Sequence, residues 1–235
     1  MSLLLFPLQD AAGNVEEDIL DKVQAAHEWQ NEHPRIGRDT DYWQCGALYT
    51  ERGDVLKVFS VWGMSSVGKS FLVKRIYCER LIEEEEEMFY NNFKAGWVNV
   101  SRPFNLTSMG PVRSLLLDLN PRYLLDSTAS SLKDPIQVCR EYLYDRDGLI
   151  VIDGLQSVEE WDAVKTAFDG AFKGWIIIIT NEESVAKYCA TDSKYVLNIK
   201  GLEADHAIEL LDQVRLLEFD IALLDPSINA NIPRH

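Results

Sequence analysis

Residues 58–77 read VFSVWGMSSVGKSFLVKRIY. An apolar run closes at Gly63, and a mixed apolar and basic run opens after Ser70. Between them Gly63, Gly68, Lys69 and Ser70 fit the pattern G-x-x-x-x-G-K-[ST]. Each position has a physical task. Gly63 lets the chain leave a strand and turn. Gly68 keeps side chains out of the way of backbone N–H groups that approach a phosphate. Lys69 supplies positive charge to β- and γ-phosphates, and the Ser70 hydroxyl can ligate Mg²⁺. A helix starting here aims its positive end at the anion. With Val67 and Phe71 as flanking backbone, this loop is the candidate phosphate site.

The segments on either side alternate strand and helix. Strand patterns occur at 55–62, 96–101 (GWVNVS), 148–153 (GLIVID), 175–180 (WIIIIT) and 195–199 (YVLNI). Helical patterns occur from Lys69 to about Ile82, over VRSLLLDL, over IQVCREYLY, and over SVEEWDAVKTAF, where Ser157 and Glu160 form a capping box. EADHAIELLDQV, 203–214, is a further amphipathic helix. Alternation of this kind requires crossover connections, and continuous apolar strands suit a sheet covered on both faces. The expected fold is α/β: a three-layer sandwich on a mainly parallel five-stranded sheet, of the P-loop NTPase type. Asp153, which closes LIVID, is expected at the end of a strand neighbouring the phosphate strand, where it would hold Mg²⁺.

Composition narrows the options. The 235 residues carry 38 acids against 23 bases, a net charge of −15. A nucleic-acid backbone is therefore not an expected partner, because such binders cluster Lys and Arg. Cys45, Cys78, Cys139 and Cys189 are scattered without a Cys-x-x-Cys pair, which fits free thiols in a reducing, cytoplasmic setting. No run approaches the ~18 apolar residues of a membrane span. MSLLLFPL at the N-terminus lacks a basic flank and is a poor signal peptide. Residues 1–34 carry one helical segment, marked by Val15, Ile19, Leu20, Val23 and Ala26 and ended by Pro34. The run EEEEE, 83–87, is expected as a solvated helix end or loop.

Six stretches in order resemble one family. RIGRD (35–39), VFSVWGMSSVGKSFL, FKAGWVNVS (93–101), GLIVIDGLQSVEEWDAV, WIIIITNEESVAKYC (175–189) and YVLNIKGLEADHAIELL are similar to the motifs of the NB-ARC domain of plant NLR disease-resistance proteins. The resemblance implies an adenine-nucleotide switch in defence signalling, held closed by ADP and opened by ATP. It places Ile36 and Arg38 near adenine and ribose. The phosphates fall to Gly68, Lys69 and Ser70, Mg²⁺ to Asp153, and a sensor position to residue 181. It divides the chain into an N-terminal segment (1–34), a nucleotide-binding unit (35–200) and the start of a truncated helical subdomain (201–235). Other NLR chains, or self-association, are the implied protein partners.

The sequence departs from that family at telling places. Gly154 follows Asp153 where a second acid is usual, so a group that could activate water is missing. Asn181 stands where the family has Arg, and an amide brings no charge to a terminal phosphate. Ser65 and Ser66 replace loop glycines. The expected activity is thus a nucleotide-binding module with weak or absent ATPase. An active P-loop ATPase and an interaction fragment that binds no nucleotide are the competing readings.

Overall fold

The structure is a computed structural model that describes residues 8–49, 55–90, 93–100, 102, 104, 110–119, 134–168, 170 and 172–213, with backbone alone at 8–16, 47–49 and 89. Five parallel strands form one sheet: β1 Lys57–Trp62, β2 Phe93–Asn99, β3 Asp147–Leu155, β4 Trp175–Thr180 and β5 Val196–Asn198, in the order β2-β3-β4-β1-β5. The β-branched run WIIIIT becomes the central strand, and all six of its residues are buried. That burial on both faces explains why it shows no polar alternation.

The two sheet faces pack against different helices. Phe59, Val61, Leu149, Val151, Ile177 and Ile179 point to one side. They meet α1 (Leu8–Glu32), α2 (Asp39–Tyr49), α3 (Lys69–Glu83) and α4 (Glu85–Phe89). Val58, Val98, Ile150, Ile152, Ile176 and Ile178 point to the other. There they meet α5 (Gly110–Leu119), α6 (Pro135–Leu143), α7 (Val158–Lys165) and α8 (Glu183–Cys189). The period-two alternation of β1 to β4 thus sorts their residues into two cores, and the sandwich has three layers as expected. Residues 204–213 add a last helix, α9, on which Ile208, Leu210 and Leu211 are exposed.

Local signals act as read. Ser157 caps α7 by accepting from Glu160 N at 3.3 Å, and the Glu160 carboxylate reaches back to the Gln156 backbone N–H at 2.8 Å. Asp134 caps α6 through Ile136 N at 3.1 Å, with Pro135 at the first helical position. On α1, Ile19, Val23 and Ala26 are buried while Leu20 is 48% exposed. The cysteines are free and buried. Burial pushes the Cys139 and Cys189 thiols up to about 12, which leaves them unreactive at neutral pH.

Two expectations need correction. The acidic run is not simply solvated: Glu84 is buried and paired with Arg80, and residues 85–89 form a helix of their own. One of the five charges found a cation one turn back, which offsets part of the penalty of burying it. Second, β3 is not the neighbour of β1, because β4 lies between them. The acid at the end of β3 therefore reaches the phosphate loop across the mouth of an intervening strand. The segments 1–7, 120–133 and 214–235, including all of MSLLLFPL but Leu8 and most of the apolar C-terminal stretch, lie outside the described residues.

Candidate functional site

The site lies beyond the carboxyl ends of β1, β3 and β4, where ligands of open α/β sheets bind. A cavity of about 210 Å³ opens there among Ser65, Ser66, Lys69, Ser70, Asp153 and Asn181. Its size suits a phosphate chain rather than a whole nucleotide.

The phosphate loop connects β1 to α3. Gly63 has its Cα against the Ile199 carbonyl: a Cβ would lie 2.2 Å from that oxygen. Only glycine can occupy the turn. Gly68 (φ 95°) is the N-cap of α3 and offers no side-chain cap. The leading N–H groups of the helix therefore have no side chain competing for them, as an anion site requires. Ser66 sits at φ 62°, the left-handed conformation that glycine adopts freely. This gives physical meaning to the serine that replaces a loop glycine: the backbone keeps the glycine conformation and bears the strain.

Lys69 is 6% exposed and makes three hydrogen bonds. Its Nζ donates to the carbonyls of Gly63 (3.0 Å) and Met64 (2.7 Å) and to Asn181 Oδ1 (2.8 Å). Burial pushes its ammonium below the usual lysine range, and the Asp153 charge works against that shift. Burial likewise lifts Asp153 above the usual carboxylate range, opposed by a hydrogen bond from Ser70 and by Lys69. The structure therefore joins Lys69, Ser70, Asp153 and Asn181 in one small network at the strand ends. A hydroxyl and a carboxylate already in contact are hard oxygen donors of the kind Mg²⁺ takes.

The end of β3 is built differently from a plain strand. Its pairing with β4 shifts register between Asp153 and Leu155, and Gly154 bulges at φ 95°. A Cβ there would find its nearest atom 3.9 Å away. Backbone conformation, not space, is what favours glycine at this position. Arg102 holds the bulge by donating to the Gly154 carbonyl (2.6 Å) and to the Glu160 carboxylate. Gln156, which lies on the cavity wall, was not singled out by sequence reasoning. The signal was weak, because its role depends on the bulge that turns the chain after Asp153. Glu159 and Asp162 do not line the cavity; Asp162 pairs with Lys165 and Tyr188.

The remaining candidates surround the loop. Arg38 is 7% exposed and donates to the carbonyls of Val67 and Lys200 (2.8 Å) and to Asp41 (2.9 Å). It ties the segment before α2, the phosphate loop and the chain after β5 into one unit. Ile36 is buried beside it in sequence, and the His206 side chain lies directly against Gly37. Val67 packs against the α1–α3 core. Phe71 points to Trp29 and His33, with ring centroids at 5.4 and 6.3 Å, so its side chain anchors α3 to α1. Among the described residues no cluster of His, Cys, Asp or Glu forms a separate metal site, and no helix is long and apolar enough to cross a membrane.

Comparison with known proteins identifies the family. The family model described as the NB-ARC domain matches residues 46–217. The probable disease resistance protein RF45 of Arabidopsis thaliana is 29% identical over 133 residues, covering 56% of this chain and 12% of that protein. A putative disease resistance protein of the same plant is 25% identical over 224 residues, covering 92% of this chain and 24% of its own length. Disease resistance protein RGA5 of Oryza sativa subsp. japonica is 27% identical over 162 residues, covering 66% and 13%. The chain thus spans a quarter or less of these relatives. Among solved structures, the Aeropyrum pernix ORC2 protein in its ADPNP–ADP complexes superposes with a TM-score of 0.53 at 13% identity, over 75% of this chain and 50% of that one. That likeness concerns the fold alone.

Proposed function

The chain belongs to the NB-ARC domain family, and from that premise we propose that it is an adenine-nucleotide-binding switch module of a plant immune receptor. The observation that carries this reading is the network of Lys69, Ser70, Asp153 and Asn181 around a phosphate-sized cavity at an uncapped helix start. Backbone N–H groups of the loop and of α3 bind the phosphates, and Lys69 adds charge. Ser70 and Asp153 are the residues that would hold Mg²⁺, whose charge would offset that of the phosphates. Arg38 and Ile36 border the base and ribose, with residues 35–200 as the nucleotide-binding unit and 201 onward as the start of a helical one.

Turnover is weak or absent in this reading. Asp153 accepts a hydrogen bond from Ser70 and would be the group that holds the metal, and Gly154 presents no acid beside it. Binding and release of ADP or ATP, rather than hydrolysis, then carries the signal to other receptor chains. The experiment is to denature the gently purified protein and identify what it releases by ion-exchange chromatography. ADP or ATP near one per chain from the wild type, and none from Lys69→Ala, is the expected result. An empty wild-type chain that stays empty when refilled with Mg²⁺ and nucleotide would end the proposal and favour the interaction fragment. Steady phosphate release far above the Lys69→Ala background would favour the active ATPase.

A further inference from the structure

A second cavity, of about 270 Å³, lies on the α1 side of the sheet, and its lining shares no residue with the phosphate cavity. Four elements build it: Lys22 and Trp29 come from α1, Lys74 and Tyr77 from α3, Trp97 from β2 and Asp118 from α5. Three aromatic side chains converge there, and Tyr77 meets Trp97 edge-on at 5.5 Å. A cage of rings ordinarily suits a cation. Here the cation is built in: Lys74 Nζ lies 5.2 Å from the centroids of both Tyr77 and Trp97. The one carboxylate on the wall is already matched. Asp118 accepts from the Trp97 backbone N–H at 2.7 Å and stands 3.6 Å from Lys22 Nζ, which also donates to its carbonyl. Lys74 is left with two ring faces and, among the described residues, no oxygen acceptor for its three N–H bonds. In a chain of net charge −15, this cavity is a local excess of positive charge.

We propose that this cavity binds a small aromatic carboxylate, with its ring against the aromatic wall and its carboxylate on the Lys74 ammonium. Pockets for drug-sized ligands start at about 300 Å³, so this one admits a molecule of one or two rings. A carboxylate supplies the acceptors that Lys74 lacks, and the resulting hydrogen bond is charge-assisted. A cationic ligand would face two ammonium groups. A neutral ring would gain aromatic contact and leave Lys74 as it is. The occupant touches α1 and α3 together, and α3 is the helix that starts at Lys69. Occupancy therefore fastens the N-terminal helix to the helix of the phosphate loop. This inference stands apart from the nucleotide-binding reading, because none of the Lys69 network lines the cavity.

The test is an NMR titration of the full chain with benzoate and with benzylamine, which carry opposite charges on the same ring. The indole N–H signals of Trp29 and Trp97, assigned through Trp29→Phe and Trp97→Phe, report on the cavity. Benzoate should shift both signals saturably, and benzylamine should bind far more weakly. Lys74→Met keeps the side-chain stem and should weaken benzoate about tenfold. Lys74→Glu should reverse the order of the two probes. Ala25→Trp fills the cavity from an exposed position of α1 and should abolish binding, with circular dichroism checking that each variant folds. Lys69→Ala should leave benzoate affinity unchanged, which separates this cavity from the phosphate site. The absence of a saturable shift, equal affinity for the two probes, or benzoate affinity unmoved in Lys74→Met overturns the proposal. So does loss of benzoate binding in Lys69→Ala. None of these results bears on the proposed nucleotide function.

Discussion

Two buried lysines stand at opposite ends of the sheet, and they show what burial does and does not mean. Lys69 lies beyond the carboxyl ends of the strands, with carbonyl and amide oxygens around its Nζ and a cavity in front. Lys94, near the start of β2, is 8% exposed and lies 4.6 Å from the Tyr142 ring centroid, donating to the Tyr142 hydroxyl at 3.3 Å. That hydroxyl donates onward to the Leu119 carbonyl at 3.0 Å, so Lys94 is locked between α5 and α6. Both ammonium groups are pushed below the usual lysine range by burial. Lys69 has a helix start before it and a cavity to act on, with Ser70 and Asp153 on the same wall. The perturbed charge marks a candidate function only where open space meets convergent polar groups.

The largest effect should come from the frame that the two ends share. Ile178 is fully buried in the central strand, in register with Ile152 and Ser60. Ile178→Ala should cost about 2–5 kcal/mol in urea unfolding and lower stability at both ends together. Next, Gly154→Asp restores the acid usual in the family but places it at φ 95°. It should destabilise by about 1–3 kcal/mol through backbone strain, without raising phosphate release. Recovery of ATPase at no cost in stability would contradict the bulge as the reason for glycine. Ser66→Gly should act the other way, adding roughly 0.5–1 kcal/mol by relieving the left-handed serine, less the larger entropy of the unfolded glycine.

A last effect separates the two lysines by pH. Burial, with Arg146 and Lys22 nearby, lowers Lys94 to about 8 from an ordinary 10.5. Within that window the unfolded chain keeps a proton that the folded chain has lost. Stability contributed at this site therefore rises with pH from about 8 towards 10.5. Unfolding curves across that range should show Lys94→Met losing the rise relative to wild type. An identical pH profile in the two proteins would mean that Lys94 is hydrated.

Much of this was legible in the sequence because the signals were local. WIIIIT had no face to show to water, G-x-x-x-x-G-K-S sat between a strand and a helix, and Ser157 with Glu160 capped a helix on schedule. What was hidden depends on contacts between distant segments. The insertion of β4 between β1 and β3 is a matter of strand order, which no local pattern encodes. Glu84 read as one of five solvated acids because its pairing with Arg80 requires a helix in register. Asn181 read only as a missing charge, and 112 positions separate it from the lysine it holds. Gln156 joined the cavity wall only because the chain bulges at Gly154.

The central claim is that Lys69 and its network bind an adenine nucleotide, and calorimetric titration of ADP with Mg²⁺ into the wild type and Lys69→Ala tests it most directly. Saturable one-to-one binding by the wild type, weakened roughly 100-fold in the variant, is the expected result. No heat of binding in the wild type, or equal affinity in both proteins, would contradict it.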